Sequence, residues 1–85
     1  MGKAGRTLKG QEFRHVCTLS SKDLLREADV LAFRSGETYL RERESCDGQN
    51  FAERHGGGLV GPFVSPEVAE RFIIATAWFN GEGEE

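Results

Sequence analysis

Ser65-Pro66-Glu67 is the sharpest boundary in the chain. Ser offers an oxygen to cap a helix, Pro suits the first helical position, and Glu faces the positive end of the helix dipole. The apolar spacing that follows predicts a helix over 66–79, closed by Asn80-Gly81. On it, Val68, Phe72, Ala75 and Phe79 make one stripe, the expected core face. Ile73, Ile74 and Ala77 fall on the other side, and Trp78 flanks the stripe. A helix apolar nearly all round needs cover on more than one side. A chain of 85 residues buries only roughly 60–65% of its unfolded surface. Three occupants are open for the patch of Ile73, Ile74, Ala77 and Trp78: a partner, a second copy in a homodimer, or the first strand and helix of the same chain.

The earlier part supplies strands. Residues 12–19, EFRHVCTL, alternate and carry β-formers. Ser20-Ser21 offers a cap for a short helix over 22–28, with Leu24, Leu25 and Ala28 on one face. Strands are expected over 30–34 and 38–44, joined at Ser35-Gly36-Glu37. A hairpin follows at Asp47-Gly48. His55-Gly56-Gly57-Gly58 breaks the chain, and 59–64 resumes an extended path whose Pro62 confines it to an edge or strand end. The expectation is an α+β domain over 12–80: a small antiparallel sheet, in the order strand, helix, three strands, helix, covered on one face by helices. Residues 1–11 read as a flexible basic arm and 81–85 as an acidic, disordered tail.

Register and face follow from charge. A two-residue loop at Asp47-Gly48 would set Glu42 against Glu53 and Arg41 against Arg54. A three-residue loop, Cys46-Asp47-Gly48, pairs Arg41 with Glu53 instead, and opposite charges across strands favour it. Two-residue alternation puts Arg34, Tyr39, Arg41 and Arg43 on one sheet face and Leu31, Phe33 and Leu40 on the other. Arginines around an aromatic ring hold phosphates and stack on bases. They are equally enriched at protein interfaces. The Arg-Glu-Arg-Glu alternation and the net charge of −3 disfavour nucleic acid, whose binding rests on uncompensated basic charge.

Other classes are thinly supported. The longest apolar run is four residues, far short of the roughly 20 that span a bilayer. The first ten residues carry no apolar stretch of a secretory signal. Reduced thiols in a cytoplasm are therefore expected for Cys17 and Cys46. His15 and Cys17, two apart on a strand, would share a face, with Cys46 and His55 completing a zinc site. The paired Cys and His spacings of such sites are missing, so no metal or other cofactor is expected. Gly56-Gly57-Gly58 lacks the Lys-Ser/Thr of a phosphate loop. No complete catalytic motif is present, and a non-enzymatic role is expected.

From the first helix onward, the order helix, three strands, helix resembles the double-stranded-RNA-binding domain across about residues 20–79. That family grips phosphate with a lysine cluster at the start of its last helix. Here Ser65-Pro66-Glu67-Val68-Ala69-Glu70 holds two acids and no lysine. In size and charge alone, the chain resembles the small acidic proteins with which phages block host enzymes, anti-CRISPR proteins among them. The expectation is a small regulator or inhibitor that binds a protein partner. The alternative is a nucleic-acid-binding module using the Tyr39 and arginine face.

Overall fold

The structure, a computed structural model, describes residues 12–81. The arm expected at 1–11 and all but Gly81 of the tail expected at 81–85 lie outside the described residues. The elements are β1 (Phe13–Ser20), β2 (Arg26–Phe33), β3 (Thr38–Glu44), β4 (Ala52–Glu53), a tight turn at Arg54–Gly57, β5 (Val60–Phe63), α1 (Pro66–Ile74) and α2 (Ala77–Asn80). The chain is thus α+β, with an antiparallel sheet of five strands and two helices. β1, β2 and β3 are neighbours in chain order, and β4 and β5 share the far edge of β3. Among the described residues no helix is long and apolar enough to cross a membrane.

The first expected helix is absent. Residues 21–25 form a turn instead, and 26–28 belong to β2. Asp23 Oδ1 accepts from Leu25 N at 3.0 Å and from the Ser21 hydroxyl, while Ser21 Oγ accepts from Arg26 N at 3.1 Å. The backbone closes across the same turn, Ser21 N donating to Arg26 O at 2.9 Å. Side chains suited to a helix cap serve equally well to satisfy a tight turn, and here the strand pairing of Ala28 with Leu19 and Glu42 decides.

The register across the turn to β3, with Ala32 opposite Thr38, sets the faces of β2. Asp29 lies opposite Arg41 and Leu31 opposite Tyr39, so Leu31 and Phe33 share the face of Tyr39, Arg41 and Arg43 rather than opposing it. Leu31 and Phe33 are buried there, with Phe33 edge-on to Tyr39 at 5.2 Å between centroids. Ala28, Val30 and Leu40 take the opposite face and form the main core with Ala69, Ile73 and Phe79.

The hairpin after β3 is longer than expected. Arg43 pairs with Glu53 and Glu44 with Ala52, so Arg41 is not opposite Glu53. Ser45 and Asp47 explain the length. Ser45 Oγ accepts from the amides of Asp47 and Gly48 at 3.1 and 2.8 Å, and Asp47 Oδ1 from those of Gln49 and Asn50 at 2.9 Å each. These bonds from Asn50 and Gln49 hold the Asp47 carboxyl well below the usual range. They build a self-satisfied loop over 45–51 where a three-residue turn would leave those amides to water. Further on, Gly61 (φ +147°) crosses β3 so closely that a Cβ would lie 2.9 Å from Thr38 O and from the Tyr39 ring. Only glycine fits this crossing without a shift.

α1 opens as the sequence implies, Ser65 Oγ accepting from Val68 N at 3.3 Å with Pro66 behind it. It stops at Ile74 rather than 79. Thr76 turns extended (ψ 144°) and caps α2, its hydroxyl accepting from Phe79 N at 3.2 Å and donating to Ile73 O at 2.9 Å. Asn80 Nδ2 donates to the freed carbonyls of Ile74 and Thr76, and left-handed Gly81 closes the end. The break overturns the expected stripe. Ala69 and Ile73 are fully buried, whereas Phe72 and Ile74 are 43% and 52% exposed. Ile73 therefore belongs to the core and not to a surface patch. Truncating Ile73→Ala should lower unfolding free energy by about 2–5 kcal/mol. Ile74→Ala should change it by about 0.5 kcal/mol or less. Urea midpoints measure both, and equal losses would contradict this helix phase.

Candidate functional site

Strand alternation delivers one carboxylate to each side of the central hairpin. Asp29 on β2 and Glu42 on β3 are 3% and 5% exposed. A dry carboxylate needs paired charge and hydrogen bonds. Each finds them differently, and the two arrangements have different surroundings.

Asp29 is enclosed by β1 and β3. Thr18 Oγ1 donates to its Oδ1 at 2.7 Å and Arg41 Nε to its Oδ2 at 3.0 Å. Arg43 bonds both Asp29 oxygens and also Glu27, at 2.8 Å through Nη2. Burial alone would raise the Asp29 pKa. The bonds from Arg43, Thr18 and Arg41 outweigh it and hold the carboxyl well below its usual range. The Asp29 bond likewise raises Arg43 above its usual value. His15, with the Thr18 proton committed to Asp29, donates to Thr18 Oγ1 at 2.8 Å. Of the four residues expected on one face, Tyr39, Arg41 and Arg43 share it. Arg34 sits in the turn beyond β2, bound to Glu12 at 2.9 Å.

Glu42 anchors the second arrangement, beside α2. His55 Nε2 donates to Glu42 Oε1 at 2.9 Å, and Arg54 Nη1 reaches the same oxygen at 3.4 Å. The Arg54 guanidinium lies 4.2 Å from the centre of the Trp78 ring, and Trp78 Nε1 donates to Glu44 Oε1 at 3.0 Å. A cation over an indole contributes about 0.5–1 kcal/mol when exposed and about 2 when dry. His55 adopts a left-handed backbone, φ 57° and ψ 29°. That conformation is uncommon outside glycine and costs about 1–3 kcal/mol. Strain of this kind persists where the surroundings over-determine it, here through Glu42. Together with Val60, Phe72, Thr76 and Trp78, these groups line a pocket of about 200 Å³. Phe72 is braced from behind by Phe63, 5.1 Å between centroids. A larger depression of about 280 Å³ runs between Glu12, Phe13, Arg14, Ala32, Phe33 and Arg34. It is lined by the exposed Arg34–Glu12 ion pair, Arg14 and the Phe13–Phe33 ring pair, whereas the pocket over Glu42 sits on a buried carboxylate.

The remaining expectations resolve plainly. A bulge at Val16 sends His15 and Cys17 to opposite faces, His15 beside Leu31 and Cys17 beside Val30. Cys17 Sγ donates to Glu70 Oε2 at 3.4 Å, and burial with that carboxylate pushes the thiol up. Cys46 is exposed in the 45–51 loop, and His55 sits on Glu42. His15, Cys17, Cys46 and His55 thus have separate surroundings, and among the described residues no group of three or more His, Cys, Asp or Glu side chains could hold a metal ion. Of the expected interface residues, Ile74 and Ala77 are exposed and Trp78 is half-buried in the pocket wall. Glu42, Arg54 and Phe72 are site residues that the sequence reading did not assign. No protein-family model, curated protein or solved structure matches the chain.

Asp29 gives the acid dependence a sign. A carboxyl held low in the folded chain adds stability above its unfolded value near 3.9, and that stability drains as pH falls through the folded value. Asp29→Asn should cost roughly 1.5–3 kcal/mol at pH 7 and much less near pH 2. Denaturant titrations at both pH values check this, and a pH-independent difference would contradict it.

Proposed function

We propose that this protein is a small, non-enzymatic binding module that regulates or inhibits a protein partner, with the pocket over Glu42 receiving a partner side chain. Pocket size carries the reading. About 200 Å³ is below the roughly 300–1,000 Å³ of small-molecule and cofactor sites. It suits one inserted side chain, as at the aromatic hot spots of protein interfaces. Trp78 and Arg54 are of the residue types that dominate such spots, and exposed Phe72 extends the apolar wall. The carboxylate beneath is already bonded to His55 and Arg54, so an uncharged apolar side chain is the favoured guest.

The nucleic-acid alternative loses its support. Arg41 and Arg43 are bonded to Asp29 and Glu27, and Arg34 to Glu12. Cations committed in this way release few counterions from a phosphate backbone. Catalysis gains little, since the Thr76 hydroxyl in the pocket is bonded on both sides as a helix cap. The test is capture from host extract followed by reconstitution with the purified partner. Phe72→Glu should weaken binding at least tenfold, Arg34→Glu should change it less than twofold, and nuclease treatment should leave capture intact. Loss with Arg34→Glu would move the docking site to the turn beyond β2, and nuclease sensitivity would return the function to nucleic acid.

A further inference from the structure

The Glu42 corner holds one negative charge between two groups that compete for a single oxygen. His55 Nε2 is 2.9 Å from Glu42 Oε1 and Arg54 Nη1 is 3.4 Å from it. With a neutral imidazole, Nε2 carries the proton given to Glu42 and Nδ1 carries none. Among the described residues, Arg54 is then the only cation bonded to this carboxylate, and it lies over Trp78. The His55 side chain is 43% exposed, so Nδ1 can take a proton from solvent. An added proton makes His55 the stronger, nearer partner of Glu42 and sets it against Arg54 as a like charge. What still holds Arg54 is its contact with the Trp78 ring, a modest tether for a half-buried side chain, 28% exposed.

We propose that His55 is a proton-operated latch on the pocket: when it gains a proton, Arg54 leaves the face of Trp78 and the indole opens to a partner. The inference rests on the pocket being the docking site. Among the described residues, the charges around His55 besides Arg54 come from β2, β3 and β4. β3 brings Glu42 and Glu44, β4 brings Glu53, whose Oε1 is 3.0 Å from where a Gly57 Cβ would lie, and β2 brings Arg26, 6.0 Å from the Trp78 ring. The residues of β5, α1 and α2 that line the pocket, with Thr76 between the helices, carry no charge. Histidine is the side chain that ordinarily changes charge between about pH 5 and 8.

Trp78 is the only tryptophan in the chain and reports on its own cover. Acrylamide quenching of its fluorescence should rise about twofold from pH 8 to pH 5.5 with far-UV circular dichroism unchanged. His55→Gln should stay at the pH 8 level throughout, His15→Gln and Glu44→Gln should keep the rise, and Arg54→Met should quench strongly at both pH values. In the unmutated protein, the Arg54 side-chain proton resonances, displaced by the indole ring, should relax with the same midpoint as the His55 ring carbon. A rise that survives His55→Gln, a flat unmutated titration, or an Arg54 resonance that ignores pH would overturn the latch. These readings use the free protein. Failure of the Phe72-dependent partner binding would leave them measurable, and a flat titration would leave the docking site standing.

Discussion

The two buried carboxylates of the central hairpin are the constraint on which the rest of the molecule depends. Asp29 and Glu42 lie on neighbouring strands and face opposite sides of the sheet. Drying an uncompensated carboxylate costs several kcal/mol, a large part of the roughly 5–15 kcal/mol that holds a small domain together. Each must therefore recruit positive charge and hydrogen-bond donors, and the chain bends to supply them. For Asp29 the supply is local, because Arg41 and Arg43 come from the adjacent strand. For Glu42 it comes from Arg54 and His55, which reach it only because a left-handed turn folds the chain back onto β3. The strained turn and the pocket are consequences of where that carboxylate sits.

The same pairing separates structure from function among the arginines. Arg41 and Arg43 are held by two-point bonds around a dry acid, so their conformations are fixed and their charge is answered. Arg54 reaches its carboxylate at longer range and leans on an aromatic ring instead. Arg54, held loosely, borders the pocket over Glu42, while Arg41 and Arg43, held tightly, tie the sheet together. Residue type alone would rank all of them alike.

This contrast marks how far the sequence could be read. The α+β character, the Ser65 cap, the closing Gly81 and the edge position of Pro62 rest on local chemistry, and each is where it was expected. The missing helix over 22–28 and the long loop over 45–51 have one cause. Ser and Asp side chains satisfy backbone amides in caps, tight turns and wide loops alike, and only the strand pairing around them chooses. The Ile73 error came from assuming one helical phase over 66–79, which Thr76 interrupts. The arginine face was correct for β3 and misplaced Arg34, because β2 ends at Phe33 and the register across the turn sets Leu31 opposite Tyr39. For Glu42 a signal was present. Alternation with Leu40 placed a carboxylate on the apolar side of β3, and a buried acid is the informative exception in a core.

The break at Thr76 ties the fold to the site. Had the helix run straight to 79, every apolar residue would have kept one phase along a single rod. Instead Thr76 and Asn80 absorb the freed carbonyls and amide, and α2 leaves at a new angle with Phe79 in the core and Trp78 against Arg54. The interruption costs few unmade hydrogen bonds, since side chains replace those of the helix. What it gives is an indole placed across from the turn that carries His55, at the edge of the core and in reach of solvent. A chain this short leaves some apolar surface uncovered. Here Phe72 and Trp78 line that remainder around a charged and titratable floor, the one arrangement among the described residues that joins concave shape, aromatic walls and a buried carboxylate.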